Sequence, residues 1–190
     1  MTEPRVPPLP ASQWSDSVRE LLEPWSIDTP QGPYVPNLFT TLARHPRLLA
    51  AWEPFAGGIL LHGVLPARER ELLVLRTAWN CQASYVWGQH EGNHGPAAGL
   101  REEEIARVVH GPAHRGWSEH DAALLRAADE LHTTGTIADG TYADLAARYG
   151  EQELIELAML VGEYHLMSFA LNALGVADEE GAAHLPACAD

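Results

Sequence analysis

Pro66-Ala-Arg-Glu-Arg-Glu71-Leu-Leu-Val-Leu-Arg76-Thr-Ala-Trp-Asn-Cys81-Gln-Ala-Ser-Tyr85-Val-Trp87-Gly-Gln-His90-Glu-Gly-Asn-His94-Gly-Pro-Ala-Ala-Gly-Leu100 is the stretch that decides the fold. Pro66 is placed to open a helix over 67–80, because proline fits the first helical turn. Apolar residues at Leu72, Leu73, Leu75, Ala78 and Trp79 recur with a helical period. The pattern resumes through Tyr85, Trp87 and His90 and stops at Gly95-Pro96.

Working outward, the same signals recur. Arg101 to His110 reads as a short helix. Ser118-Glu-His-Asp121 is a capping-box variant opening a helix to about Leu131, and Thr141-Tyr-Ala-Asp144 repeats the signal. Residues 152–174 are apolar on most faces, as in a central bundle helix, and Gly175 is a natural stop. Upstream, a helix over 46–62 ends at Gly63, Asn37 can cap a helix to about Arg44, and Ser15 to Leu22 forms a shorter one. Ser26 to Pro36, rich in Pro, reads as loop. No period-2 strand and no internal repeat stands out. The expectation is an all-α, single-domain helical bundle of seven to nine helices over 1–190, with 1–11 an extended arm and 179–190 a flexible tail.

The chain has 190 residues and a formal net charge of −14, and all 12 basic residues are Arg. Without lysine there is no Schiff-base, pyridoxal-phosphate or P-loop chemistry. The acidic balance repels phosphates, so neither nucleic acid nor an anionic membrane is an expected partner. Cys81 and Cys188 suggest no disulfide framework. The N-terminus lacks a basic-then-apolar signal pattern, and Leu154 to Val176 is interrupted by Glu156, Glu163 and His165, which reads as too polar for a membrane span. A cytoplasmic protein from a GC-rich bacterium is expected.

The arrangement from Arg70-Glu71 through Tyr85-x-Trp87-x-x-His90 to Ala98-Gly99-Leu100 and Glu103-Glu104-Ile105 resembles the carboxymuconolactone decarboxylase and alkylhydroperoxidase-D-like superfamily. Pro7-Pro8-Leu9 with Trp14-Ser15-Asp16 resembles the family's N-terminal arm. Leu160 to Met167, with Leu171 to Val176, resembles its last helix. The resemblance implies an all-helical subunit that associates as a dimer, trimer or hexamer. The peroxidase branch carries Glu-x11-Cys-x2-Cys-x3-His. From Glu71 that spacing falls on Ala83, Val86 and His90, so the Glu and His are in place and both sulfurs are absent. Thiol peroxidation needs an attacking and a resolving thiol. Cys81 is two residues off the first position, about 200° round a helix. The decarboxylase-like branch often has Tyr-Glu-Trp where this chain has Tyr85-Val86-Trp87, which takes it away from ordinary carboxymuconolactone chemistry.

What remains is an acid–base set. His90 is the candidate proton-transfer residue, Glu71 its orienter and Tyr85 the donor to a developing oxyanion. Trp87, Cys81, His165 and Arg70 are candidate substrate-binding residues. Cys81 and Tyr85, four apart, are expected to share a helix face, and Arg68, Arg70 and Arg76 to make the pocket locally positive. The expected activity is a cofactor-independent lyase or isomerase acting on a small organic substrate. That substrate would be a carboxylate, a lactone or an enolisable compound, and the pathway a specialised one. The alternative class is a non-catalytic binding or assembly protein on the same fold. His90-Glu91-Gly92-Asn93-His94 also spells the zinc motif H-E-x-x-H, with Glu119 as an imaginable third ligand. Gly92 and Gly95-Pro96 argue against a helix that would present it, and no metal is assigned.

Overall fold

The computed structural model describes residues 3–30 and 32–186. It is 65% helical, with no strand among the described residues. Among the described residues there are nine helices of six or more residues: α1 (Asp16–Leu22), α2 (Asn37–Leu42), α3 (Pro46–His62), α4 (Ala67–Asn80), α5 (Ser84–Gln89), α7 (Glu102–Val108), α8 (Glu119–Thr134), α9 (Asp139–Ala146) and α10 (Glu151–Leu174), with a three-residue α6 (Gly95–Ala97) after α5. The all-α expectation holds. The chain divides into two compact units, residues 1–62 with 171–181 and residues 63–170 with 182–190.

In the smaller unit Val18, Leu22, Phe39, Ala43 and Leu49 form the buried core. The Trp25 and Phe39 rings stack with centroids 4.2 Å apart. The N-terminal arm is tied down by backbone polar groups. Leu9 N–H donates to the Thr40 carbonyl at 2.9 Å and Val6 N–H to Leu174 at 3.1 Å. Arg44 Nε donates to Pro7 O at 2.6 Å. Ser15 caps α1 as its position suggests, accepting from Val18 N–H at 3.3 Å. Asn37 does not cap α2: Pro36 holds the cap position. The free N–H of Asn37 instead donates to the Glu179 carboxylate at 2.7 Å, and its side-chain amide to Ala177 O at 3.1 Å. A carboxylate from far along the chain replaces the local cap and also suits the helix dipole.

In the larger unit, the core centres on Leu72, Leu73, Leu75, Leu124, Leu125, Leu157 and Leu160, each under 2% exposed. Helix α4 is the hub, packing on α5, α7 and α8. Ser118 caps α8 through Asp121 N–H at 3.0 Å, a contact that stabilises such a helix start by about 1 kcal/mol. The Thr141 signal misleads. Helix α9 starts at Asp139, and Thr141 lies inside it, donating to Glu130 Oε1 at 2.8 Å. The other oxygen of Glu130 caps the helix from outside by accepting from Ala138 N–H at 2.9 Å. Gly88 has no side chain because Ala183 O would lie 2.5 Å from its Cβ.

One sequence expectation about α10 needs correction. By length and composition this 24-residue helix is apolar enough to cross a membrane, with a mean hydropathy of 1.4 over its best window. Within that window too few charges fall for Glu156, Glu163 and His165 to break the run. The helix buries Leu157, Leu160, Val161, Tyr164, Met167 and Leu171, as the core helix of a bundle does.

Candidate functional site

Glu71, Leu75 and Ala78 lie on one buried face of α4, at the i, i+4, i+7 spacing of a helix. The Glu71 side chain is wholly buried, which requires partners for both carboxylate oxygens. Oε2 meets His90 Nδ1 at 2.6 Å, and Oε1 accepts from Arg70 Nε at 3.2 Å. Glu71 and His90, the pair singled out in the sequence, are thus joined by a short, buried hydrogen bond. Burial pushes the Glu71 carboxyl upward. The charge and hydrogen bond of His90, then His94 and Arg70, outweigh it and hold the carboxyl below its usual range. When His90 is neutral, an ionised Glu71 fixes its proton on Nδ1 and leaves the Nε2 lone pair available. Among the described residues no hydrogen bond is made to His90 Nε2.

His90 opens a π-helical turn, His90–His94, between α5 and α6. The Gly95 N–H closes it by donating to His90 O, and a Cβ at Gly95 would sit 2.9 Å from that oxygen. The glycine that reads in sequence as a helix stop therefore lets the wider turn form, a feature that recurs at functional sites. The turn brings the His94 ring to 4.7 Å from that of His90. Tyr164, from α10, meets the His90 ring edge-to-face at 5.1 Å. Burial first, and then Glu71, raise the Tyr164 phenol, so it stays protonated and can only donate or accept as a neutral hydroxyl.

His94 is pushed down to about 4, by burial first and then by the His90 charge, against the pull of Glu71. In the unfolded chain a histidine takes up its proton near 6.5. Between these values the unfolded state binds the proton and the folded state does not. Stability is therefore complete above about pH 6.5 and falls as the pH drops toward 4. Urea unfolding at pH 7 and pH 5 should show the wild type losing about 2 kcal/mol more than His94→Gln. Equal losses would show that the His94 environment is not what the geometry describes.

The other predicted residues divide between two places. Tyr85 and Trp87 are buried on α5, and Trp87 packs T-shaped on Trp79 at 6.3 Å. Cys81 is not on the same helix as Tyr85. It caps the end of α4, and Gln82 (φ 51°) turns the chain before α5 begins. The continuous helix assumed from spacing is broken there, so the shared face does not exist. Cys81 instead lies with His132 of α8 and His165 of α10. The arginines do not make a positive pocket. Arg68 is held by Asp121 at 2.9 Å and Glu104 at 2.6 Å, Arg76 by Asp129 at 2.6 Å, and Arg70 by Glu71. Each guanidinium is matched to a carboxylate, because buried charge must be paired. Glu119 is exposed at the start of α8.

Residues 46–130 match the model of the carboxymuconolactone decarboxylase family. No functionally curated protein matches the chain by sequence. Among solved structures, an uncharacterised peroxidase-related protein from Ralstonia eutropha JMP134, with an alkylhydroperoxidase AhpD core, superposes with a TM-score of 0.77 at 19% identity, covering 94% of this chain and 95% of that one. A peroxidase-related protein from Silicibacter sp. TM1040 gives 0.78 at 16% identity, over 94% and 95%. The debrominase Bmp8 gives 0.71 at 16% identity, over 92% and 91%. These likenesses establish the fold along nearly the whole chain, and the family match covers α3, α4, the π turn and most of α8. Over residues 46–130 the chain is similar to the carboxymuconolactone decarboxylase family, and over nearly its whole length it shares the fold of the AhpD-core structures.

Proposed function

We propose that this protein is an acid–base enzyme acting on a small enolisable organic substrate, a carboxylate or lactone, by isomerisation or decarboxylation. The observation that carries this reading is the buried 2.6 Å contact between Glu71 and His90 Nδ1. It prepares Nε2 as a base of fixed tautomer. Nε2 accepts a proton from carbon, and the electron pair moves into an enolate. Glu71 stabilises the imidazolium so formed. In an isomerisation the proton then returns from Nε2 to a different substrate atom; in a decarboxylation no C–H is broken, the C–CO2 bond pair itself forms the enolate, and His90 protonated from solvent delivers its Nε2 proton to that carbon. Tyr85 is assigned the donor to the enolate oxygen, and Tyr164, whose ring lies 5.1 Å from that of His90, is the second phenol that could take this role. The remaining N–H groups of Arg70 suit a substrate carboxylate. Ala83 and Val86, both buried, occupy the two positions where a thiol peroxidase of this family needs sulfur. A debrominase on the same fold, solved also as a variant with 2,3,4-tribromopyrrole, supports small-molecule chemistry on this scaffold.

The test is exchange of carbon-bound hydrogen for solvent deuterium, followed by proton NMR over a panel of lactones and β-keto acids. Enzyme-dependent exchange that is lost in His90→Gln supports the reading. Binding without exchange in any member of the panel favours a non-catalytic binding protein instead.

The proposed enzyme is a homo-oligomer. Ile155, Met159, Leu166 and Phe169 on α10 are 65%, 49%, 52% and 59% exposed. At 100° per residue they fall within one stripe about 80° wide. A contiguous apolar stripe of this kind is characteristic of a subunit contact. Light scattering coupled to size exclusion should give a dimer or larger assembly, and Leu166→Glu with Phe169→Glu should shift it to monomer. A monomeric wild type, or an unmoved double variant, rules out this face.

A further inference from the structure

We infer that Cys81, His132 and His165 form a metal site for a borderline-soft divalent ion such as zinc, separate from the Glu71–His90 pair. The three side chains come from three different helices. Cys81 stands at the end of α4, His132 in the last turn of α8 and His165 midway along α10. Their ligand atoms lie within 4.8 Å of one another. His132 Nδ1 is 3.0 Å from His165 Nε2, and Cys81 Sγ is 3.9 Å from His132 Nδ1. A tetrahedral zinc ion with ordinary bond lengths separates two nitrogens by about 3.3 Å and a nitrogen from a sulfur by about 3.6 Å. The N–N spacing falls about 0.3 Å short of its value and the S–N spacing about 0.3 Å beyond, so small side-chain rotations close the site.

The hydrogen bonding points the same way. His165 Nδ1 lies 2.8 Å from the Val161 carbonyl. That carbonyl can only accept, so Nδ1 carries the proton and Nε2 presents its lone pair toward His132 and Cys81. A carbonyl behind a ligating imidazole is the usual outer support of a metal site. At 3.9 Å the Cys81–His132 contact is too long for a strong hydrogen bond. Cys81 is set in place by the turn at Gln82, a non-glycine residue in the left-handed region, where such backbone strain persists only if the surroundings enforce it. The Cys81 thiol is half-buried and His132 is exposed. The cluster therefore supplies three protein ligands and leaves a fourth position toward solvent, as in zinc sites that keep an open coordination. On binding, the Cys81 thiol loses its proton to solvent and a Zn–S bond forms. His132 binds through Nδ1 as the neutral Nε2–H tautomer, so no other proton is released. Cysteine with two histidines is the ligand chemistry of zinc or copper and not of magnesium or calcium.

The experiment uses tag-free, chelator-stripped protein and the metals alone. Zinc is titrated against a chromophoric chelator, and cobalt is added in parallel to report the ligands by absorption. The expected result is one zinc per chain and a thiolate-to-cobalt charge-transfer band. Cys81→Ser should abolish the band and weaken zinc binding by about 100-fold or more, and His132→Gln and His165→Gln should each weaken it by about 10-fold or more. His94→Gln should keep the full zinc content. The inference is overturned by a wild type that binds no zinc or gives no thiolate band. It is also overturned if zinc survives Cys81→Ser and is lost with His94→Gln, which places the metal at the His90–His94 run. The cobalt band is read on the wild type, so a variant that fails to fold does not shield the idea.

Discussion

His90→Gln should lower kcat by about 100- to 10,000-fold on whichever substrate the deuterium-exchange panel identifies, with KM changed far less. The imidazole is 5% exposed and held to Glu71 at 2.6 Å. Its role in the proposed step is confined to proton transfer, not to substrate affinity. Glu71→Gln is the sharper variant. A glutamine amide is nearly isosteric with the carboxylate, but it can donate to Nδ1 as well as accept from it. When it donates, the ring proton moves to Nε2 and the base is occupied. The expected loss for Glu71→Gln is therefore close to that for His90→Gln, although no atom that touches substrate has changed. Adding the two substitutions together should cost little more than either one, since they disable a single device. The measurement is steady-state kinetics on the three variants, with far-UV circular dichroism to show that the helices persist. Turnover surviving in both single variants sinks the acid–base reading. Loss in His90→Gln alone keeps the base but removes Glu71 as its orienter.

Much of this architecture was legible because helix signals are local. Pro66 and the periodic apolar run place α4 at Ala67–Asn80, and Gly63 after an apolar stretch ends α3 at His62. The caps at Ser15 and Ser118 are equally local. The misread points are those where tertiary contacts replaced local ones. Glu179 and Glu130 cap α2 and α9 from distant positions, so Asn37 and Thr141 took on other partners. Gln82 carries no signature of a left-handed turn, and the break it makes separates Cys81 from Tyr85. The pairing of Glu71 with His90 was readable only through the resemblance, since they lie nineteen positions apart on either side of the break at Gln82. Tyr164 and His132 have no sequence signal at all. Tyr164 reaches His90 from α10 and His132 reaches Cys81 from α8, contacts that no window of the chain records.

Arg76→Met should destabilise the protein by about 3 kcal/mol, at the low end of the cost of removing one partner from a buried ion pair. The Arg76 side chain is 11% exposed and its partner Asp129 26%. Nε and one terminal nitrogen engage both Asp129 oxygens, at 2.6 and 2.9 Å. The other terminal nitrogen donates to Val108 O at 2.9 Å and Val109 O at 3.1 Å, the last carbonyls of α7. One guanidinium thus ties α4 to α7 and α8. Methionine fills much of the space but satisfies none of these acceptors. Asn80 still donates to Asp129 at 2.8 Å, and water reaches the exposed quarter of its side chain, which keeps the loss at the lower end. Lysine should rescue little, because one ammonium cannot reproduce the planar fork that meets a carboxylate and two carbonyls together. Removing the stranded charge as well, in Arg76→Met with Asp129→Leu, should recover a large part of the loss. Urea unfolding checks this through a lower midpoint at unchanged slope. A shift of under about 1 kcal/mol for Arg76→Met would mean the pair is screened like a surface one.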